Sequence, residues 1–227
     1  MLELSLAIDG PAASGKSVVG RGLAEHLGIG FVDTGLIYRA CTLAVIQNGV
    51  NPLDEKKVFE LVEQMNMDMR WELLSSPEMF IDNENVTSEL RTATIEQNVS
   101  YVSRIEEVRH NLVSRQREIA QREPVIMAGR DIGTRVLKEA RTKIFLNAST
   151  ETRANRRLQE TLDAGKNTSY EEILASTQRR DNLDDSGHRA IKPEQASSDA
   201  IIVETDILDT AAVIDLCISI YRNTNQN

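Results

Sequence analysis

Short, nearly continuous aliphatic runs recur along this chain between longer stretches in which apolar residues return every three or four positions. The runs are Leu4 to Ile8, Phe31 and Val32, Val125 to Ala128, Thr142 to Leu146 and Ala200 to Val203. Such runs predict strands covered on both faces, and strands of that kind belong to parallel sheets. Helical spacing is carried by Val18, Val19, Leu23 and Leu27, then by Leu36, Ile37, Ala40, Leu43, Ala44 and Ile46 up to about Asn48. Further helices are predicted over 54–64, from about Thr92 to Ser103, from Ile105 to Arg122, from about Thr150, from about Tyr170, and from Asp209 to about Tyr221. Strands alternating with helices predict an α/β fold with five parallel strands. One stretch departs from this rhythm. Met65, Met67, Met69 and Trp71 alternate with polar partners, Ser75-Ser76-Pro77 makes a turn, Met79 to Asp82 is a second short strand, and Asp82 to Asn85 a second turn. That pattern predicts a small antiparallel excursion, its methionine stripe facing a core. The segment from Arg179 to Arg189 is so polar that it is expected outside the core, as a connection.

Composition narrows this picture only slightly. The chain is 227 residues long, 41% hydrophobic and 27% charged, with neither internal repeat nor low-complexity linker, so one domain over 1–227 is expected. A formal net charge of -9 argues against a nucleic-acid polymer as partner, which calls for clustered basic residues. Cys41 and Cys217 lie inside apolar helical patterns and read as small buried hydrophobes, so neither a disulfide framework nor a metal cluster is predicted. No 18 apolar residues run together, and the first residues enter a strand without a basic start. The expectation is a soluble cytoplasmic protein with no membrane partner.

Chemistry enters after the first aliphatic run. Gly10-Pro11-Ala12-Ala13-Ser14-Gly15-Lys16-Ser17 fits G-x-x-x-x-G-K-[ST] at every fixed position, in the strand-loop-helix context that this pattern requires. Glycines let successive N–H groups converge on one anion, and the helix start adds its positive dipole end. Lys16 reaches the outer phosphates and Ser17 offers a hydroxyl to Mg2+. All of Gly10 to Ser17 therefore become candidate residues for binding a nucleoside triphosphate such as ATP.

Two arginines extend the reading. Arg39 follows the second strand and Arg130-Asp131 another, at the carboxyl ends where open α/β sheets bind ligands. A planar guanidinium grips two phosphate oxygens at once, so the pair predicts a clamp for a second phosphate. Arg153, Arg156, Arg157, Arg180 and Arg189 add positive charge late in an acidic chain; for Arg153 a solvated helix face is the equal alternative. From its neighbours Val108 and Leu112 alone, Arg109 reads as a solvent-facing helical arginine.

The blocks now in hand resemble the bacterial cytidylate kinases, a family of nucleoside monophosphate kinases. The resemblance runs through Gly10 to Ser17, Asp33-Thr34-Gly35-x-Ile37-Tyr38-Arg39, Val86-Thr87-Ser88-Glu89-Leu90-Arg91-Thr92, Gly129-Arg130-Asp131-Ile132-Gly133-Thr134, Lys143-Ile144-Phe145-Leu146, and Arg180-Asp181 to Pro193. It implies a phosphate-loop kinase fold with sheet order 2-3-1-4-5, a core of about 1–60 and 123–227, a monophosphate-binding insert at about 61–104 and a lid at about 150–190. It implies phosphoryl transfer from ATP, with Mg2+, to CMP or dCMP in pyrimidine nucleotide metabolism; a monomer is expected, although the sequence itself does not give oligomeric state. Lys16, Arg39, Arg130 and Asp131 would be catalytic, with Thr34 close to the acceptor phosphate. Ser100, Arg109 and Arg189 would read cytosine, Arg180 and Asp184 would face the ribose, and Arg153, Arg156 and Arg157 would close over ATP. The stretch Asp185-Ser186-Gly187-His188 before Arg189 is longer than the family's usual spacing, which leaves the ribose contact open between Asp184 and Asp185. The competing readings are a kinase for another small acceptor and a nucleotide-operated switch. A guanine-reading Asn-Lys-x-Asp, which a GTP switch should carry, does not occur.

Overall fold

The computed structural model describes residues 1–71, 76–186 and 191–225. In chain order the elements begin with β1 (Leu6–Asp9), α1 (Lys16–Leu27), β2 (Gly30–Asp33), α2 (Thr34–Gln47) and α3 (Glu55–Gln64). The excursion follows as β3 (Met67–Arg70), β4 (Glu78–Ile81) and β5 (Glu84–Asn85), then α4 (Ala93–Arg104) and α5 (Glu106–Arg122). The chain ends with β6 (Val125–Ala128), β7 (Thr142–Asn147), α6 (Thr150–Asp163), α7 (Tyr170–Ser186), β8 (Ile201–Glu204) and α8 (Thr210–Asn225).

The main sheet is parallel in the order β2-β6-β1-β7-β8. Counting its five strands along the chain, this is 2-3-1-4-5, as expected. Its inner strands β1, β6 and β7 are buried on both faces because successive side chains enter different cores. At the edge, β8 corrects the expectation for the last run, since Ile201 and Ile202 are exposed and only Val203 is buried. Leu6 and Ile8 of β1, with Ile126 and Ala128 of β6, pack on the α1 and α8 side with Val19, Leu23, Val213 and Cys217. Ala7, Val125 and Met127 point to the other face, against Ala40, Ala44, Val99 and Leu112 of α2, α4 and α5. Each large aliphatic side chain buried in this way contributes roughly 1.5–3 kcal/mol.

Capping sets where the helices start. Asp33 accepts from Gly35 N at 3.0 Å to begin α2, Asp54 from Lys57 N to begin α3, Thr92 from Ile95 N to begin α4, and Ser149 from Thr152 N to begin α6. Gly20, in the middle of α1, has a packing reason: a Cβ there would stand 2.3 Å from the Phe31 ring on β2. The helix thus lies closer to the sheet than any side chain would permit, which offsets the roughly 1 kcal/mol helix penalty of glycine.

The excursion is a three-stranded antiparallel sheet in which Met69 pairs with Met79. Met65, Met69, Met79 and Val86 bury themselves in the same core as α2 and α4, so the methionine stripe is core. The polar segment beginning at Arg179 corrects the expectation of an external connection, because α7 continues helical through Ser186 and Asp184 is fully buried. Ion pairing makes this possible: Arg130 Nε donates to Asp184 Oδ2 at 3.0 Å, and Arg153 donates to both carboxylate oxygens of Asp181. A charged helix enters the interior where opposite charges already wait for it.

Candidate functional site

The carboxyl ends of β1, β2 and β6 open onto one region. β1 passes into the loop through Gly10, whose φ of +145° and whose missing Cβ, which would fall 2.3 Å from Leu146 O, admit only glycine. Gly15 at φ +97° then turns the chain into α1. Lys16 curls back over this loop and donates from Nζ to Gly10 O at 2.8 Å, Pro11 O at 2.6 Å and Ser14 Oγ at 3.4 Å. Burial, and then the charge of Arg130, push its ammonium well below the usual lysine range. Ser17 Oγ donates to Asp33 Oδ2 at 2.7 Å, which puts a hydroxyl and a carboxylate side by side at the loop.

Asp9, the last residue of β1, braces the neighbouring turn. It accepts from Ile132 N and Gly133 N, both at 2.8 Å, at the start of a π-helical turn over Ile132–Val136 that follows β6. Burial outweighs these two hydrogen bonds and raises its carboxyl to about 6. Thr34 ties the start of α2 to the same edge, donating to Ala128 O at 2.8 Å.

Opposite the loop stand the arginines. Arg130 donates to Gly10 O at 3.2 Å and to Asp184, bridging the loop to α7. Arg39 donates to Leu90 O at 2.9 Å and to Glu96 Oε1 at 2.6 Å. Glu96, on α4, also accepts from Arg180 at 2.9 Å and lies 3.5 Å from Arg157. Burial alone would raise its pKa, but the charges of Arg39, Arg180 and Arg157 prevail and take it down to about 2. Arg180 is lowered to about 10, by burial first, against the attraction of Glu96. Arg153 is buried, its guanidinium held by Asp181, Thr150, Ala148 O and Ala12 O of the phosphate loop. Arg156 instead binds Thr205 O and Oγ1 just after β8. Beside the loop a cleft of about 380 Å³ is lined by Pro11, Ala148, Arg153, Asp181, Lys192 and Asp206, among others.

Comparison with known proteins meets this geometry from outside. The family model described as cytidylate kinase matches residues 6–223. The chain belongs to the cytidylate kinase family. A cytidylate kinase of Mycobacterium leprae is 45% identical over 94% of this chain and 93% of its own length. One of Caldanaerobacter subterraneus is 42% identical over 98% of this chain and 97% of its own. A solved structure of an uncharacterized protein from Eubacterium ventriosum aligns with a TM-score of 0.54 at 12% identity, covering 97% of this chain and 99% of that one, a likeness of fold.

Within this cytidylate kinase family member, several predicted residues converge and others do not. Lys16, Arg130 and Arg153 meet around the loop, while Arg39, Arg157 and Arg180 meet around Glu96. Arg109 corrects its reading as a solvent-facing arginine: it is 2% exposed, and its NH2 donates to Asp131 Oδ2 at 2.5 Å. Ser100 is buried on α4, one turn beyond Glu96. Arg156 is engaged at β8 rather than over the loop, and Arg189 lies outside the described residues. Sequence reasoning missed Asp9, Asp33, Glu96 and Asp181. The first two close strands at the carboxyl edge, so the rule that found Arg39 and Arg130 would have found them as well.

Proposed function

We infer that this protein transfers the γ-phosphoryl group of ATP to the phosphate of CMP or dCMP, releasing ADP and CDP or dCDP. The observation that carries this is the facing arrangement of a phosphate loop and an arginine set in a chain of the cytidylate kinase family. Phosphoryl transfer asks little covalent chemistry of a protein; it asks for alignment, charge neutralisation and exclusion of water.

In this reading Gly10 to Ser17 hold the donor's phosphates, and Lys16 exchanges its three loop acceptors for phosphate oxygens. The cleft beside Pro11 and Arg153 takes the rest of ATP. Arg39 and Arg130 hold the acceptor phosphate with Thr34 nearby, Ser100 and Arg109 read the base, and Arg180 and Asp184 face the ribose. Asp131 positions Arg109, the partner that the geometry favours for it. Arg153 and Arg157 complete the donor side as part of a lid at about 150–190, while the excursion and α4 form the acceptor insert at about 61–104. The neighbouring oxygens of Ser17 and Asp33 fit Mg2+, an ion that protein sites commonly hold by one or two oxygens together with substrate phosphates. Such an ion would neutralise charge between the donor's phosphates.

We place the protein in the cytoplasm as a monomer. Its two cysteines are free and buried, no helix among the described residues is long and apolar enough to cross a membrane, and the loop and clamp come from one chain. Light scattering of the purified protein reads the mass directly. The deciding experiment is a coupled ADP-release assay with a panel of nucleoside monophosphates. CMP and dCMP should give turnover well above UMP, AMP and GMP, and absence of turnover with every acceptor would overturn the reading.

A further inference from the structure

Three guanidinium groups from three different elements converge on one carboxylate. Arg39 belongs to α2, Arg157 to α6 and Arg180 to α7, and all three meet Glu96 of α4 at 2.6, 3.5 and 2.9 Å. One negative charge offsets three positive ones only in part, so the cluster keeps an excess of positive charge that suits a phosphate dianion. It also keeps donor capacity, since Arg180 Nε is buried and meets no acceptor among the described residues. Yet Arg39 is already committed. Its NH1 serves Leu90 O and its NH2 serves Glu96, so a phosphate that binds where the three guanidiniums converge meets Glu96 there as a competitor for the same donors. Glu96 has a way out: its side chain is 30% exposed, whereas Ile95 and Val99 anchor the same helix in the core.

We propose that Glu96 is a resident stand-in for the acceptor's phosphate, holding the arginines together in the free enzyme and exchanging with that phosphate on binding. This rests on the reading of Arg39 and Arg180 as acceptor-side residues. A carboxylate and a phosphate present equivalent oxygens to the same donors, so they compete. An anion entering where these guanidiniums converge competes with Glu96 for them, and an anion without a nucleoside has little else with which to win that exchange. Glu96 is thereby a specificity-determining residue: it holds down the affinity for bare phosphate while base and ribose contacts carry the nucleotide in.

The test uses the full chain and inorganic phosphate as probe, with ADP in excess so that the phosphate loop is taken. Affinity is read from the rise in thermal midpoint with phosphate concentration. Glu96→Gln keeps the shape and removes the charge; it should lower the midpoint without phosphate, because the buried guanidiniums lose their counter-charge, yet bind phosphate about tenfold more tightly, a change equal to about 1.4 kcal/mol. A merely structural glutamate would lower the midpoint and leave phosphate affinity equal or weaker, and either result overturns the proposal. If Glu96→Gln does not fold, Glu96→Asp retains the charge on a stem one methylene shorter. It should tighten phosphate binding by a smaller factor, with equal or weaker binding again overturning the idea. The titration needs no turnover, so failure of the CMP assay would remove the kinase reading separately.

Discussion

Lys16 is largely buried and shares its ammonium among three oxygens of its own loop. Burial and the nearby Arg130 disfavour that charge, and on the proposed reading the phosphates of the donor would offset both. Lys16→Ala should therefore lower transition-state stabilisation by on the order of 3 kcal/mol or more while leaving the nucleotide-free thermal midpoint unchanged or slightly raised. A coupled ADP assay beside an unfolding curve reads both, and retained turnover in a folded variant would remove the loop assignment. The loop was legible in sequence because its chemistry is local, every contributing backbone group lying within eight consecutive residues. Glu96 was not, because what makes it a hub is tertiary: its partners Arg39 and Arg180 are 57 and 84 positions away, and a lone glutamate on an amphipathic helix leaves no signal of that.

Elements in this molecule are joined at their ends by carboxylates, and the joint between β1 and the turn after β6 titrates within an accessible range. Asp9 accepts from Ile132 N and Gly133 N, but burial raises its carboxyl from 3.8 to about 6. Between those values the folded protein binds a proton that the unfolded chain has released, so stability falls as pH rises from about 4 to about 6. The full effect is on the order of 3 kcal/mol, converting the shift at about 1.4 kcal/mol per unit. Asp9→Asn cannot titrate. In urea unfolding of the nucleotide-free proteins from pH 4 to 7, the advantage of wild type over this variant should shrink as pH rises; a constant difference would show that Asp9 has an ordinary pKa. The strands and most helices were readable from the apolar pattern, since two faces of burial leave a continuous run and one face leaves a 3.6-residue period. The last turns of α7 were not. Their burial is bought by Arg130 and Arg153 rather than by apolar residues, and hydrophobic periodicity is blind to ion pairs.

Across the whole molecule, the two faces of the sheet are not equivalent: one is covered by α1 and α8, while the other carries α2 to α5 together with the excursion. Arg109 of α5 reaches from that second layer to Asp131, just past the end of β6, and the pair is nearly excluded from water. The helix pattern around Val108 and Leu112 gave no warning of this, because the partner lies 22 residues on in a different element. This contact links the packing of a layer to the carboxyl edge of the sheet, on the proposed reading beside the acceptor, and substitution should separate the two roles. Arg109→Met keeps the apolar stem but leaves the Asp131 charge buried alone, a loss of about 3 kcal/mol or more in stability. Cytosine offers a ring nitrogen and a carbonyl as acceptors to a guanidinium, whereas uracil presents an N–H at that ring position, so the same variant should cost CMP about 2 kcal/mol in kcat/KM and UMP less. Adding Asp131→Asn removes the stranded charge, and the double variant should recover much of the lost stability. Its preference for CMP over UMP should stay low. Measured well below the melting point of each variant, recovery of stability together with that preference would show that Arg109 supports the layer alone, and that the base is read elsewhere.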